Sequence, residues 1–435
     1  MNQDTTTFEA MIPKGVKDFL PVNAVKIEYL KSTLHQVFKQ WGFQPVTPPS
    51  LEFLHVLERG LGNELKDSTL RFDDRQSGYL LAFPPDITPQ IARVFATRMH
   101  NAPLPQRLSY SCRVLQHTEQ QAGKDREIFQ SGVELIGQSG PQADAEMIAI
   151  ALECLSTLKA PQYTIDIGQV EFYRGVLDAL NLPSAQIGNL HNSILHKDTS
   201  GLKQQLEKLP IAAENCEEIM ALPRLFGGKE VLDRAAKVVT NDRSKKALDN
   251  LHKTLQILDF YGANDHITVD LGELRGLDYY TGITFQGFLT GFGKAVCLGG
   301  RYDHLTEIYG CSAPATGFAF NLLNLLFSMP QQLSAAVQPG VDALVVSKST
   351  DCTSALSLTS ALRKHGYSAC IGEYNPETNQ QYARKMNFSY LFTVSESGDN
   401  TERLSISDNV LTQVATAALI SGQGLCKQLG EHKNG

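Results

Sequence analysis

No stretch of this sequence approaches the roughly 20 consecutive apolar residues that a bilayer-spanning helix requires, so no membrane-embedded protein is expected. Its opening, MNQDTTTFEAM, has neither a basic nor an apolar region and does not look like a secretory signal. Of eight cysteines, none sits in a C-x-x-C pair, a pattern without a zinc site that fits reduced thiols, mostly core residues, in the cytoplasm. Positive charge is also short. The 39 Lys and Arg against 46 Asp and Glu leave a net charge of -7, which argues against a broad nucleic-acid footprint, because phosphate binding depends on clustered basic side chains. Local patches on an acidic protein can still bind RNA. Nothing in the sequence calls for a metal or a cofactor.

What the sequence does have is length and pattern. A chain of 435 residues can bury a full core and fill about two or three domains. Residues 11 to 21, MIPKGVKDFLP, lead into an amphipathic helix from about Asn23, the expected cap, to about Trp41, with Ile27, Leu30, Leu34, Val37 and Phe38 at helical spacing. Gly42 then ends it. GFQPVTPPSLE reads as a strand broken by proline. In YLLAFPPDITPQIARVFATRM, Thr88 followed by Pro89 reads as a cap with proline in the first helical turn, which leaves Asp86 and Thr88 at the helix mouth. In YSCRVLQHTEQQAGKDREIFQSGVELIG two strands flank a long loop. The second alternates through Ile128, Gln130, Gly132 and Glu134 on one face, so its polar groups can converge on one ligand.

The densest chemistry lies in ITVDLGELRGLDYYTGITFQGF. Ile267, Val269 and Leu271 alternate with polar residues, and Ile283 with Phe285 begins a second alternating run, so two strands flank a Gly-punctuated turn. Within it Arg275 can hold an anion, while Tyr279 and Tyr280 can stack and hydrogen bond. An ordinary strand connection would explain the same residues without a ligand. Between about residues 182 and 263 the chain is helical and charged and carries no readable motif. LGGRYDHLTEIYG follows, where Gly299 and Gly300 permit close backbone approach and Arg301 can pair with Asp303. After a linker around Gln338 to Gly340 comes a second α/β pattern: strands in VDALVV, YSACIGE and FSYLFTVSE, helices in TSALSLTSALRKHG and TNQQYARKM, then RLSISDN and a helix through Val410 to Leu419. Domains at 1–336 and 337–435 are expected.

RGLDYYTG resembles the histidine-recognition motif of the histidyl-tRNA synthetases and of their relatives, the regulatory subunits of ATP phosphoribosyltransferase. The resemblance covers residues 11 to about 330. It implies an α+β fold of the class II aminoacyl-tRNA synthetase type, an antiparallel sheet flanked by helices, with a helical insertion at about 182–263. The C-terminal α/β domain resembles a shortened anticodon-binding domain. Pro49 with Glu52 resembles the end of motif 1, which implies a homodimer core. By position in the motifs, the resemblance makes Asp86, Thr88, Gln130, Glu134, Arg275, Tyr279 and Tyr280 histidine-binding residues: Asp86 and Thr88 on the ammonium with Gln130, Glu134 on an imidazole N–H.

The departures from the family sort differently. Asp86 is one methylene shorter than the usual glutamate, and Pro84 stands where arginine is usual. Leu115-Gln116 replaces a Phe-Arg pair, so Gln116 occupies the place of the arginine that holds the ATP α-phosphate. Thr118 and Lys124 replace a glutamate and an arginine, while Gly123 and Arg126 remain. Leu323-Asn324 replaces the Glu-Arg pair of motif 3, so Asn324 stands for the arginine that stacks on adenine. A neutral amide does not substitute for a guanidinium at a phosphoryl transition state, where one lost donor costs roughly 3 kcal/mol or more. The resemblance therefore implies a protein without catalytic residues that keeps a histidine pocket and has lost its adenylation chemistry. That points to the regulatory subunits, which assemble with the short-form catalytic subunit of ATP phosphoribosyltransferase, activate it and confer feedback inhibition by histidine, with no productive tRNA binding. Two other functions stay open: an active histidyl-tRNA synthetase, favoured by RGLDYYTG, PKGVKDFLP and the C-terminal domain, and a catalytically dead sensor of tRNA or histidine.

Overall fold

A computed structural model describes residues 11–117, 125–178, 180, 182–272, 279–337 and 340–423. Two compact units divide the chain, Met1–Ala336 and Val337–Gly435.

In the first unit the strands are β1 (Gln44–Pro45), β2 (Glu52–Phe53), β3 (Arg71–Asp73), β4 (Leu80–Ala82), β5 (Gln106–Leu115), β6 (Glu127–Ile136), β7 (Tyr163–Gln169), β8 (Phe226–Gly227), β9 (Ile267–Asp270), β10 (Ile283–Leu289), β11 (Cys297–Arg301) and β12 (Ala315–Asn321). Nine of them form one sheet in the order β1-β5-β6-β12-β11-β10-β7-β9-β8. Its pairs are antiparallel except β1 with β5 and β7 with β9. β2, β4 and β3 make a small separate sheet.

The main core lies on one face of the large sheet, where Phe129, Val133 and Leu135 of β6 meet two long helices. Pro21–Gln40 supplies Ile27, Leu30, Leu34, Val37 and Phe38, and Pro141–Thr157 supplies Ile148, Leu152 and Leu155. At roughly 1.5–3 kcal/mol for each large apolar side chain fully buried, this face dominates the stability of the unit. It also leaves the alternate residues of β6 facing the other way. The opposite face carries a smaller cluster, Ile87, Ile91, Phe95, Tyr110 and Tyr302 among it, that forms the floor of the candidate site.

The fold is a mainly antiparallel sheet with flanking helices, as expected from the sequence, but local readings need correction. Asn23 does not cap the first helix. That helix starts at Pro21 with Leu20 at its N-cap, because proline's fixed φ suits the first turn and Asn23 already lies inside it. The two strands expected around RGLDYYTG form as β9 and β10, and β7 lies between them, parallel to one and antiparallel to the other. Of RGLDYYTG itself, residues 275–278, with Arg275, lie outside the described residues. So do Thr118, Gly123 and Lys124 of the long loop. Between 182 and 263 the described chain is helical, apart from β8, which joins the edge of the sheet.

In the second unit β13 (Val341–Ser347), β14 (Ala369–Ile371), β15 (Phe388–Val394), β16 (Asn400–Ser405) and β17 (Leu411–Ala415) form a mixed sheet in the order β14-β13-β15-β16-β17. Here the expected helix from Val410 to Leu419 is overturned. Asn409 adopts φ +57° in a tight connection, Ser405 N–H donates to Val410 C=O, and residues 411–415 return as a hairpin strand, leaving only Thr416–Ile420 helical. A left-handed asparagine after Asp408 turns the chain before helical hydrogen bonding can begin.

Candidate functional site: a buried carboxylate pocket

Glu134 sits towards the C-terminal end of β6, fully buried, on the face opposite the main core. Three hydroxyls converge on it. Thr88 Oγ1 donates to Oε1 at 2.7 Å, Tyr110 Oη to the same oxygen at 3.2 Å, and Tyr302 Oη to Oε2. The strand register explains one of these and the room the carboxylate has. Tyr110 on β5 lies opposite Gly132, and Gly317 on β12 lies directly opposite Glu134. A Cβ at Gly317 would overlap Glu134 Oε2 and stand 2.5 Å from Val133 O, so glycine here is what lets the carboxylate lie flat across the next strand. Gly317→Ala is expected to cost at least about 2 kcal/mol, by overpacking at a site that cannot relax, and to lower the melting temperature measurably.

Thr88 itself departs from its predicted role. The helix Thr88–Val94 has Ile87 at its N-cap and no side-chain cap; the threonine hydroxyl goes to Glu134 instead. Asp86, just before it, accepts from Gln130 Nε2 at 3.1 Å and from Ile87 N–H at 2.9 Å, while Gln130 Oε1 accepts from the same Ile87 N–H at 3.2 Å. Burial pushes the Glu134 carboxyl up to about 8, against the pull of its three hydroxyl donors, and the neighbouring Asp86 adds to the rise. Asp86 is raised as well, chiefly by burial. Among the described residues, therefore, the site holds two carboxyl groups with no cation paired to either. A ligand that brings cationic or N–H donors supplies what they lack.

Tyr279 and Tyr280 close the same space. Their rings meet edge to face with centroids 5.1 Å apart, and Tyr279 stands 5.6 Å from Tyr302. The Tyr279 hydroxyl is buried with no hydrogen-bond partner among the described residues, and burial followed by Asp86 and Glu134 raises both phenols. The Thr88 hydroxyl is near enough to lower the Tyr279 phenol, but it donates to Glu134, which leaves the Tyr279 hydroxyl free to take a further partner. Behind them, buried Arg301 pairs with Asp144 at 2.9 Å and with Asp303 at 2.9 Å, while its carbonyl accepts from Thr281 N–H. That ion cluster anchors the segment leaving Tyr280.

Six predicted site residues thus come together: Asp86, Thr88, Gln130 and Glu134 by hydrogen bonds, Tyr279 and Tyr280 by ring packing and by the field of the carboxylates. Tyr110 and Tyr302 were missed. The only sequence signal for Tyr302 was its place between Arg301 and Asp303, and Tyr110 had only its alternation on β5.

The degenerate positions behave otherwise. Gln116 Nε2 donates to Pro85 C=O at 2.9 Å and Asn324 Nδ2 to Ala295 C=O at 2.7 Å, so both amides are tied to the protein's own backbone. Asn324 borders an open cavity of about 520 Å³ where Lys17 pairs with Asp125 at 2.6 Å beside Phe327.

Residues 15–325 match the family described as histidyl-tRNA synthetase. An ATP phosphoribosyltransferase regulatory subunit of Syntrophotalea carbinolica is 56% identical over 97% of this chain and 99% of its own, and that of Geobacter sulfurreducens 49% identical over 89% of each. Among solved structures, a Bacillus halodurans protein described as ATP phosphoribosyltransferase regulatory subunit/histidyl-tRNA synthetase superposes with a TM-score of 0.80 at 24% identity, over 90% of this chain and 99% of that one. A histidyl-tRNA synthetase from a Nostoc species superposes at 0.78 with 21% identity, over 95% and 98%. These two establish the shared fold. With near full-length relatives at such identity, the chain belongs to the family of ATP phosphoribosyltransferase regulatory subunits, built on the histidyl-tRNA synthetase fold.

Proposed function

We propose that this regulatory subunit binds free histidine in the Asp86–Glu134 pocket, assembles with a short-form ATP phosphoribosyltransferase catalytic subunit, activates it, and makes its inhibition by histidine possible. The observation that carries this reading is the contrast between two sets of side chains. Around Glu134 the donors and acceptors form a buried polar cluster, whereas Gln116 and Asn324, where a synthetase needs arginines, are bound to backbone carbonyls. Asp86 and Gln130 would receive the ammonium, Glu134 an imidazole N–H, and Tyr279 the remaining polar edge. Arg275 is proposed for the carboxylate. The same contrast disfavours an active synthetase.

A homodimer core is part of the proposal, supported by the exposed apolar cluster of Leu51, Phe53, Tyr79 and Leu80 on the small sheet that follows Pro49. No helix among the described residues is long and apolar enough to cross a membrane, in keeping with a cytoplasmic complex. For histidine to regulate, it must bind two assembly states unequally, and a coupling of about 1–3 kcal/mol corresponds to roughly 5–150-fold in affinity.

The test is phosphoribosyl-ATP formation by a short-form catalytic subunit from the same source, with and without this chain, across a histidine titration. Activation that histidine reverses is the expected result. An unchanged rate at every histidine concentration would refute the reading.

A further inference from the structure

Two acids share one buried site, and the groups around them decide which protons a ligand must bring. Among the described residues the titratable groups facing Glu134 are Asp86, just before the helix Thr88–Val94, Tyr110 on β5, Tyr302 after β11, and Tyr279 with Tyr280. None is a cation. Arg301 turns instead to Asp144 and Asp303. A carboxyl group buried away from solvent without a positive partner keeps its proton, and a second acid close by strengthens that preference. At neutral pH the free protein therefore carries one proton on Glu134, in line with its rise to about 8.

The hydrogen bonds say where that proton can go. Thr88, Tyr110 and Tyr302 already donate to Glu134, so the acid's own hydrogen is not taken up by them. Oε1 receives two of these hydroxyls and Oε2 one, which leaves an acceptor position open on Oε2, and Tyr279 Oη has no partner among the described residues. Two open acceptor positions in one site suit a ring with two N–H donors. A neutral imidazole has one such donor, and an imidazolium has two. The charges agree with this count, because an ammonium and an imidazolium together offset the Asp86 and Glu134 carboxylates.

We propose that the site selects its ligand as a base: Glu134 hands its proton to the ring nitrogen that meets Oε2, and histidine is held as an imidazolium between the Glu134 carboxylate and the Tyr279 oxygen. This rests on the reading of the Asp86–Glu134 site as the histidine site. The O–H bond of the acid breaks as the ring N–H bond forms, so the proton changes owner and none is exchanged with solvent. A side chain that is polar but not basic cannot take the proton, and the site rejects it.

The test is calorimetry of histidine binding to the full chain, alone and with its catalytic subunit, in buffers of different ionisation heat, with nitrogen NMR of ring-labelled histidine on the same samples. Between the imidazole's ordinary value of about 6.5 and the Glu134 value of about 8, affinity should stay flat and the buffer should neither gain nor lose a proton. Below that window affinity should fall about tenfold per pH unit, because the ligand then brings a proton of its own and one must be lost. A Glu134 that merely accepted from a neutral ring would instead release its proton on binding, and affinity would rise about 30-fold across the same window. Bound histidine should carry hydrogen on both ring nitrogens. The 1,2,4-triazole analogue of histidine, with the same ring shape and an N–H but much weaker as a base, should bind at least about 30-fold more weakly at pH 7. A proton released at pH 7, a bare nitrogen in the bound ring, or an analogue that binds as well as histidine overturns the proton transfer and leaves the site standing. No histidine binding at any pH, with or without the catalytic subunit, overturns the site itself and the proposal with it.

Discussion

Glu134→Gln is expected to weaken histidine binding by about 100-fold, read by calorimetry, while making the ligand-free protein more stable above pH 8 than the wild type. The first effect, read at pH 8 or above where the Glu134 carboxyl ionises, follows from replacing a charged acceptor by a neutral one. Hydrogen bonds to charged groups contribute about 1.5–3 kcal/mol, the upper end of which is roughly 100-fold. The second follows from proton linkage. Burial raises the Glu134 carboxyl from 4.5 to about 8, so the folded protein keeps a proton that the unfolded chain releases. The stability this group contributes is therefore complete below pH 4.5 and is lost progressively as pH rises to about 8. Over that window the loss amounts to something on the order of 5 kcal/mol, a ceiling that relaxation of the pocket reduces. Glutamine does not titrate, so the variant's melting temperature should stay nearly flat where the wild type's falls. Equal histidine affinity in both proteins would remove Glu134 from the site, and parallel pH profiles would show that its carboxyl is not buried as described.

The same residue illustrates what could be read from the sequence. Period-two alternation on β6 puts Gln130 and Glu134 on one face, and the structure has them opposite Phe129 and Val133 as that period requires. What Glu134 touches was not legible. Tyr110 reaches it because β5 pairs with β6 in one particular register, and Tyr302 because it follows β11, which is separated from β6 by β12; neither pairing is written in the local pattern of either segment. Long-range register also brings β7, from about a hundred residues earlier in the chain, between β9 and β10, an arrangement that the local pattern of neither strand states. Thr88 was misread for a related reason. Ser or Thr before proline is an ordinary cap signal, but a buried carboxylate 2.7 Å away is a stronger acceptor for the hydroxyl than a cap is a use for its lone pair. At β17 local composition was ambiguous, and the hairpin with β16 settled it. Residues fixed by their own strand's period were readable, and those fixed by a partner strand were not.

Arg301→Met should destabilise the first unit by about 3–5 kcal/mol, because it strips the partner from a carboxylate that has nowhere to go. Asp144 is 1% exposed, lies in the first turn of Pro141–Thr157, and receives Arg301 Nε at 2.9 Å and 3.1 Å on its two oxygens. Arg301 also donates to Asp303 Oδ1, which in turn accepts from Ala315 N–H, so one guanidinium ties the long helix to β11 and to the start of β12. Asp303 N–H takes Thr281 Oγ1, which extends the tie to the chain emerging from Tyr279 and Tyr280. The substitution should accordingly act twice. Unfolding by urea should show the lost stability with an unchanged slope, and histidine affinity should fall even at temperatures where the variant is fully folded, because the tyrosines lose their anchor. Asp144→Leu in the Arg301→Met background separates the two effects. Removing both buried charges should recover most of the stability, since a buried pair replaced by apolar groups of similar volume is often neutral, whereas the tie to Thr281 through Asp303 stays weakened and histidine affinity should not fully return. Full recovery of both would mean that Arg301 serves only the packing of the helix. Recovery of neither would mean that the ion pair itself, and not the avoidance of a lone buried charge, holds this part of the sheet together.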